Sequence, residues 1–194
     1  MRKITAGLFI SLDGVVAEPH TWHFPYYNDE MGAAVMGDVH GCDTFLFGRT
    51  TYDAFAEAWP ARELAGGEDA GLAKDFGDTR KVVVSSRKLD FTWRNSERLQ
   101  GDFVAAIEAL KAEDSRKGIS VTGSVSVVRQ LLAAGLLDEL RLLVHPIVLG
   151  QGLRLFAEGE GPYPLKLVTS QTFRTGVMHL LYAPAEVAEG AAAE

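Results

Sequence analysis

The most informative segment of this chain reads Thr44-Phe45-Leu46-Phe47-Gly48-Arg49-Thr50-Thr51-Tyr52. Its apolar run ends at a glycine, and Tyr52, Phe55 and Trp59 then recur at the spacing of one helical face. The segment therefore predicts a buried strand, a tight turn and the first turns of an α-helix.

Polar residues mark the start of that helix. Thr50 is a suitable N-cap, and Asp53 follows it three residues later as a looser form of the capping box. Arg49 stands at the turn itself, where backbone N–H groups and the positive end of the helix dipole are presented to an anion. An ordinary strand-to-helix turn with a surface arginine explains the same local pattern, so the choice depends on the rest of the chain.

The composition is that of one globular domain. The chain has 194 residues, of which 47% are hydrophobic, and this is enough for a single core. We predict one domain over residues 1–183 and a flexible tail over residues 184–194. The net charge of −7 disfavours nucleic acid as a partner, whereas a small anionic ligand requires only a local positive patch.

Cysteine usage and hydropathy indicate the compartment. Cys42 is the one cysteine, so no intramolecular disulfide is expected, and no apolar run is long enough for a membrane span or a signal peptide. A cytoplasmic protein is predicted. The pairs His20/His23 and His40/Cys42 are incomplete as ligand sets, so no metal is predicted.

Strand, turn and helix patterns alternate three times along the chain, which predicts a parallel α/β sheet with right-handed crossovers. Residues 61–79 are rich in glycine and charge and are interpreted as a surface loop with at most a short helix. Residues 165–173 and 177–183 form a predicted antiparallel hairpin. The expected fold class is α/β, with a mixed, mostly parallel sheet and this hairpin at one side.

An aromatic loop follows the first predicted strand, residues 3–10. Residues 15–27 contain two prolines and four aromatic side chains, Trp22, Phe24, Tyr26 and Tyr27. Such a loop is typical of a pocket wall or lid. Asn28 is a suitable cap for the next helix, whose first turn carries Asp29 and Glu30.

Three turns follow strands of the predicted parallel sheet, namely Gly48–Thr51, Ser85–Arg87 and Gly123–Ser124. Ligands of open α/β sheets bind outside the carboxyl ends of the strands, so three such turns at one edge favour a phosphate-rich ligand. Two separate arginines could hold a pyrophosphate and a ribose phosphate, which favours NADPH over NADH. A surface pair between Arg87 and Asp90 is the alternative. The P-loop and Gly-x-Gly-x-x-Gly patterns are missing from the positions that those folds require.

The ordered motifs Ser11–Gly14, Phe47–Tyr52, Ser85–Arg87, Gly123–Ser124 and His145–Phe156 resemble the dihydrofolate reductase superfamily. The branch is the one that resembles the reductase (C-terminal) domain of the bifunctional riboflavin-biosynthesis deaminase–reductase. The resemblance covers roughly residues 2–183 and implies a three-layer α/β/α, dihydrofolate-reductase-like fold, NADPH as cofactor and a homodimer.

The resemblance also implies which residues form the site. The expected cofactor-binding residues are Ala6, Leu8, Gly48, Arg49, Thr50, Thr51, Ser85, Ser86, Arg87, Gly123, Ser124 and Val125. Val125 stands where a third small residue is usual. The substrate is expected to contact Trp22, Tyr27 and Met31.

Candidate catalytic residues are Asp13, Tyr27 and Asp29. Simple alternatives exist, because Asp29 also complements the dipole of its helix and Asp13 also suits a turn before Gly14. His145 is interpreted as a core or interface histidine. The predicted function is an NADPH-dependent reductase that transfers a hydride to a small heterocycle (pterin-, pyrimidine- or flavin-precursor-like) or to a carbonyl or imine. The alternative is a non-catalytic, dimeric nucleotide-binding sensor or scaffold of the same fold.

Overall fold

Eight strands form one sheet in the computed structural model, which describes residues 1–156 and 158–185. The strands are β1 (Ile4–Ser11), β2 (Cys42–Gly48), β3 (Arg80–Val84), β4 (Ser96–Arg98), β5 (Gly118–Thr122), β6 (Glu139–His145), β7 (Leu165–Thr172) and β8 (Met178–Pro184). Their order across the sheet is β4-β3-β2-β5-β1-β6-β8-β7. The first six are mutually parallel, and β8 runs antiparallel to both β6 and β7.

Helices cover both faces of this sheet. They are α1 (Asp29–His40), α2 (Arg49–Ala65), α3 (Ala70–Asp78), α4 (Phe103–Ala112) and α5 (Val125–Ala133). Side chains of β2 show the two layers, because Leu46 packs in the cluster that holds α4 and α5 while Phe45 and Phe47 pack in the cluster that holds α2 and α3. These side chains enter different layers because successive residues of a strand point to opposite faces of the sheet. The predicted three-layer fold and C-terminal hairpin are confirmed.

Residues 61–79 contain more helix than the predicted surface loop with at most a short helix. Helix α2 continues to Ala65, and α3 occupies most of the remaining segment. Helix α3 forms because its apolar face packs on the rest of the domain, although glycines in this segment weaken the helical pattern. The Phe76 ring centroid lies 4.6 Å from that of Trp59 and 4.9 Å from that of Phe45. Burial of one face stabilises a helix whose intrinsic propensity is modest.

The last strand of the sheet extends slightly beyond its predicted end at residue 183. Of the predicted tail over residues 184–194, Pro184 ends β8 and the Ala185 N–H donates to the Pro164 carbonyl at 2.9 Å. Residues 186–194 lie outside the described part of the chain. Among residues 1–156 and 158–185, the helices are all too short or too polar to cross a membrane.

Candidate functional site

The sheet has a topological switch point between β1 and β5. The connection through α1 leads from β1 towards β2, whereas the connection through α5 leads from β5 to β6 on the other side. Pairing between β1 and β5 ends at Gly7 and Thr122, and β1 continues to Ser11 beside β6 alone. Crevices of this kind at the carboxyl edge are where ligands of open α/β sheets bind.

Two of the three predicted turns meet at this crevice and hold each other. The Gly48 N–H donates to Ser124 Oγ at 2.8 Å, and the Ser124 N–H donates to Thr51 Oγ1 at 3.0 Å. The contacts join residues 76 and 73 positions apart in sequence. The turn after β2 and the turn after β5 therefore form one structural unit, as the sequence predicted.

Helix α2 begins two residues earlier than the cap prediction requires. Gly48 is the N-cap and Arg49 the first helical residue, so the assignment of Thr50 as N-cap is wrong. Because Gly48 has no side chain, no side-chain oxygen caps this end. Within the described chain, the N–H groups of residues 49–51 have no recorded partner, and Asp53 pairs with Arg49 at 3.3 Å instead of capping. Those N–H groups are free to bind an anion.

Glycine is required at the turn after β5 and is closely packed at the turn after β2. A Cβ on Gly48 would lie 3.4 Å from Val127 Cγ2, and a Cβ on Gly123 would lie 3.3 Å from Thr51 Cγ2. Gly123 also has φ of +69°, in the region that L-residues rarely adopt. Val125, where a small residue was expected from the resemblance, packs against the larger core.

Ser124→Ala is expected to lower the free energy of unfolding by about 1–3 kcal/mol, because the buried Gly48 N–H loses its acceptor. Ser126→Ala is the matched control, since Ser126 is exposed on the same first turn of α5. Urea unfolding of both variants measures the difference. Equal stability of the two variants would contradict the interlocking role assigned to Ser124.

The third turn lies beside the other two because β3 pairs with β2. Ser85 Oγ accepts from the Arg87 N–H at 3.2 Å and closes a tight turn. Ser86 and Arg87 are exposed, and the described residues provide no ion pair between Arg87 and Asp90. The neighbouring strand β4, which ends at Arg98, was not predicted from the sequence because a strand of three residues has no recognisable period.

Ala6 and Leu8 do not present their side chains to the crevice. Both are buried in the core against α4 and α5, with 0% and 5% of their surface exposed. The expectation that they line a nicotinamide pocket therefore fails for their side chains, and only their backbone could take part. Gly7 and Phe9 point to the opposite face, towards α1, because successive residues of a strand alternate.

Asp13 acts as an anchor of the surrounding loops. Its carboxylate accepts from Ser11 Oγ at 2.7 Å, from the Leu149 N–H at 3.1 Å and from the Gly150 N–H at 2.8 Å. These hydrogen bonds, led by that from Ser11, lower the pKa of Asp13 to about 2. A carboxylate that stays ionised and is occupied in this way is not a proton donor, so the catalytic prediction for Asp13 is replaced by a structural role.

The other predicted catalytic and substrate residues are divided between surface and core. Tyr27 is 52% exposed, and Asp29 is exposed in the first turn of α1. Trp22 is buried, with its Nε1 donating to the Ala17 carbonyl at 2.9 Å. Met31 is fully buried against Leu143, so the prediction that it contacts substrate is wrong for this conformation.

Two histidines that the sequence did not identify as site residues pack together, one within the aromatic loop and one beneath it. His145 ends β6 and is completely buried, and His23 packs against it with ring centroids 6.3 Å apart. Burial lowers the pKa of His23 to about 4, and it also lowers the pKa of His145. Both rings are therefore neutral near pH 7. Only the fold brings residues 23 and 145 together, so no local pattern could reveal the pair.

The opposite, amino edge of the sheet contains a separate cavity of about 270 Å³, lined among others by His40, Cys42, Asp43 and Asp75. It lies at the start of β2 and is remote from the switch point. Burial raises the pKa of the Cys42 thiol to about 12, so this thiol is inert. In the part of the chain that the structure describes, no group of three or more His, Cys, Asp or Glu side chains is placed to hold a metal ion.

Comparison with known proteins agrees with this architecture. Residues 2–179 match the family described as the RibD C-terminal domain. The chain belongs to the RibD C-terminal domain family. Two proteins of Bacillus subtilis strain 168, the uncharacterized proteins YyaP and YwjB, are similar to this chain. YyaP is 28% identical, with 93% of this chain and 94% of YyaP covered, and YwjB is 23% identical, with 91% and 95% covered.

Solved structures show the same fold. A protein from Shewanella sp. PV-4 described as a riboflavin biosynthesis protein aligns with a TM-score of 0.72 at 19% identity, over 96% of this chain and all of that chain. A pyrimidine reductase-like protein from Corynebacterium diphtheriae gives 0.64 at 15% identity, over 96% and 93%. The Thermotoga maritima deaminase/reductase gives 0.63 at 15% identity, and 57% of that longer chain is covered. The RibD reductase-like fold predicted from the sequence is confirmed.

Proposed function

We propose that this protein is an NADPH-dependent reductase that transfers a hydride to a small planar nitrogen heterocycle. The observation that carries the proposal is the interlocked pair of glycine turns at the switch point. They combine free N–H groups, a helix N-terminus and close backbone approach in one place, which suits a pyrophosphate. Membership of the RibD C-terminal domain family supports the reductase class.

The residues present fit such a cofactor. The first turn of α2 and the turn at Gly123 would hold the pyrophosphate, with Arg49 beside them. Ser86 and Arg87, which are exposed at the end of β3, would hold a phosphate on the adenosine ribose. NADPH supplies the hydride when bound, and the protein orients the reacting groups and excludes water.

The substrate side is the crevice wall formed by Phe9, His145 and the loop over residues 15–27. It is mostly aromatic and contains one neutral imidazole that is completely buried. Such a wall suits a flat ring better than a flexible aliphatic carbonyl compound. Tyr27 and Asp29 remain the proposed groups for proton delivery, since both are exposed beside this loop.

Calorimetric titration with NADPH tests the proposal first, and loss of NADPH absorbance with a panel of aminopyrimidines, pterins and simple imines tests it second. We expect binding in the micromolar range and oxidation with at least one planar heterocycle. A chain that shows no binding at millimolar NADPH would contradict the proposal.

Arg87→Ala is expected to weaken NADPH about tenfold while leaving NADH unchanged, because one charge-assisted contact to the extra phosphate is lost. The control is Arg116→Ala, since Arg116 is exposed just before β5, at the opposite edge of the sheet. Calorimetric titration of each variant with both cofactors gives the ratio of its NADPH affinity to its NADH affinity. An equal loss for NADPH and NADH would remove the assignment of Arg87 to the ribose phosphate.

A second candidate function is a dimeric nucleotide sensor without catalysis. The observation that favours it is the engagement of Asp13, whose carboxylate accepts three hydrogen bonds and is therefore not available for acid–base chemistry. Tight NADPH binding without oxidation over the whole substrate panel would support this candidate over the reductase.

A homodimer is proposed for either function. Strand β7 pairs with β8 on one side only, and almost all of its residues are exposed. Leu167 and Val168 are 48% and 52% exposed on it, and Met178 of β8 is 41% exposed. Exposed apolar edges of this kind are typical of interfaces. Light scattering at micromolar concentration is expected to give twice the mass of the chain, and a monomer mass would contradict the dimer.

A further inference from the structure

The buried histidine pair at the carboxyl edge leaves two ring nitrogens without partners. His23 is 7% exposed and His145 is 0% exposed. Within the described residues, neither His23 Nδ1 nor His145 Nε2 has a hydrogen-bond partner. A buried polar atom that stays unpaired costs about 1–3 kcal/mol, so two of them side by side require an explanation.

His23 fills a slot between two aromatic rings. Its imidazole stacks on Phe9 with ring centroids 4.7 Å apart and an interplanar angle of 21°, and its centroid lies 4.2 Å from that of Phe24. Phe9 lies on β1 beyond Gly7, where pairing with β5 has already ended. The slot therefore adjoins the crevice at the switch point, and Phe9 is its fixed wall, because Phe24 belongs to the same loop segment as His23.

The buried imidazole of His145 has a fixed tautomer. Its Nδ1 lies 2.8 Å from the Leu143 carbonyl oxygen, and because a carbonyl only accepts, Nδ1 carries the proton. Burial lowers the pKa of His145, so the ring is neutral near pH 7 and its Nε2 is a lone-pair acceptor. The group that satisfies this nitrogen must be an N–H or O–H donor.

We propose that His23 is an internal plug, whose imidazole occupies the place of the substrate ring, and that His145 Nε2 accepts a hydrogen bond from an N–H of that ring. The inference rests on the proposed function, in which the substrate is a flat nitrogen heterocycle, and it concerns how this chain's own His23 and His145 treat such a ring. Such a ring stacks on Phe9 in place of His23 and pairs the buried acceptor. An aliphatic carbonyl compound gains neither contact.

The plug can leave without opening the main core. His23 lies between two short 3-10 turns, Pro19–Thr21 and Phe24–Tyr26, and Phe24 is 58% exposed. Trp22 is held separately by the Ala17 carbonyl. Movement of this loop segment exposes the slot while strands β1 and β6 stay paired through seven residues.

The test uses 2,4-diaminopyrimidine as the probe, titrated calorimetrically into the full chain without NADPH. His23→Ala is expected to bind it about tenfold more tightly than the wild type, because no plug has to be displaced. His20→Ala is the control on the same loop, since His20 is exposed, and its affinity should equal that of the wild type. Unchanged or weaker binding by His23→Ala would overturn the plug.

Two further measurements keep the result independent of folding defects and of the reductase activity. In the wild type, the ring-proton NMR signals of His23 should move towards free-histidine values when the probe binds, and static signals would overturn the plug. His145→Phe keeps a flat ring without the acceptor, and it should reduce the preference for 2,4-diaminopyrimidine over pyrazine about tenfold. A separate NADPH titration decides the cofactor question: its failure with intact probe binding contradicts the proposed function and leaves the plug in place.

Discussion

Gly123→Ala is expected to weaken NADPH binding about 100-fold, the loss of one to two charge-assisted hydrogen bonds. The new methyl group would lie 3.3 Å from Thr51 Cγ2, at a residue with φ of +69°. Relief of this contact moves Thr51 Oγ1 away from the Ser124 N–H, and the first turn of α2 moves with it. The two turns then no longer present their N–H groups together.

Gly135→Ala is the matched control for this substitution. Gly135 has φ of +65° at the other end of α5, and a Cβ there meets nothing within 4 Å. Both variants carry the left-handed strain of about 1–2 kcal/mol, and Gly123→Ala should lose more stability because it also disturbs the hydrogen bond from the Ser124 N–H to Thr51 Oγ1. Only Gly123→Ala should lose NADPH affinity in a calorimetric titration. Equal NADPH affinities for the two variants would contradict the placement of the pyrophosphate at the switch point.

The wild-type free energy of unfolding is expected to rise by about 4 kcal/mol relative to that of Lys81→Met between pH 7 and pH 10.5. Lys81 is fully buried in β3, where burial lowers its pKa from 10.5 to about 7. Between these two values the unfolded chain binds the proton and the folded chain does not, so stability rises with pH. Lys81→Met removes the titrating group and therefore this rise.

Urea unfolding at several pH values measures the difference, with Lys88→Met as the control because Lys88 is exposed. Below pH 7 both states bind the proton, and the difference should be constant. Lys81 Nζ donates to the carbonyls of Gly77 and Thr79 and lies 4.3 Å from the Trp93 ring centroid, so it fixes the end of α3 to β3. A difference that does not change with pH would show that Lys81 titrates normally and contradict its burial.

The fold was predictable from local sequence wherever a strand, a turn and a helix follow one another directly. Gly48 and Gly123 end buried apolar strands and begin helices, so their turns could be identified and their meeting inferred from the parallel sheet. Local signals failed where tertiary contacts decide. Helix α3 depends on the packing of Phe76 against Trp59, and β4 is only three residues long.

The candidate site was predictable on its cofactor side and much less on its substrate side. The phosphate-binding turns are contiguous motifs, whereas the aromatic slot combines Phe9, His23 and His145 from three separate segments. Asp13 and Met31 are the opposite case, residues that were predicted as site residues and have structural roles instead. Both lie at plausible positions along the chain, yet hydrogen bonds to Leu149 and packing against Leu143 give them structural roles.

A crystal structure of the full chain grown with NADPH tests the central claim most directly. The account predicts density for the pyrophosphate against the first turn of α2 and the turn at Gly123, with the adenosine ribose phosphate beside Ser86 and Arg87. Density for the dinucleotide in the cavity at the amino edge, near His40 and Asp75, would contradict it.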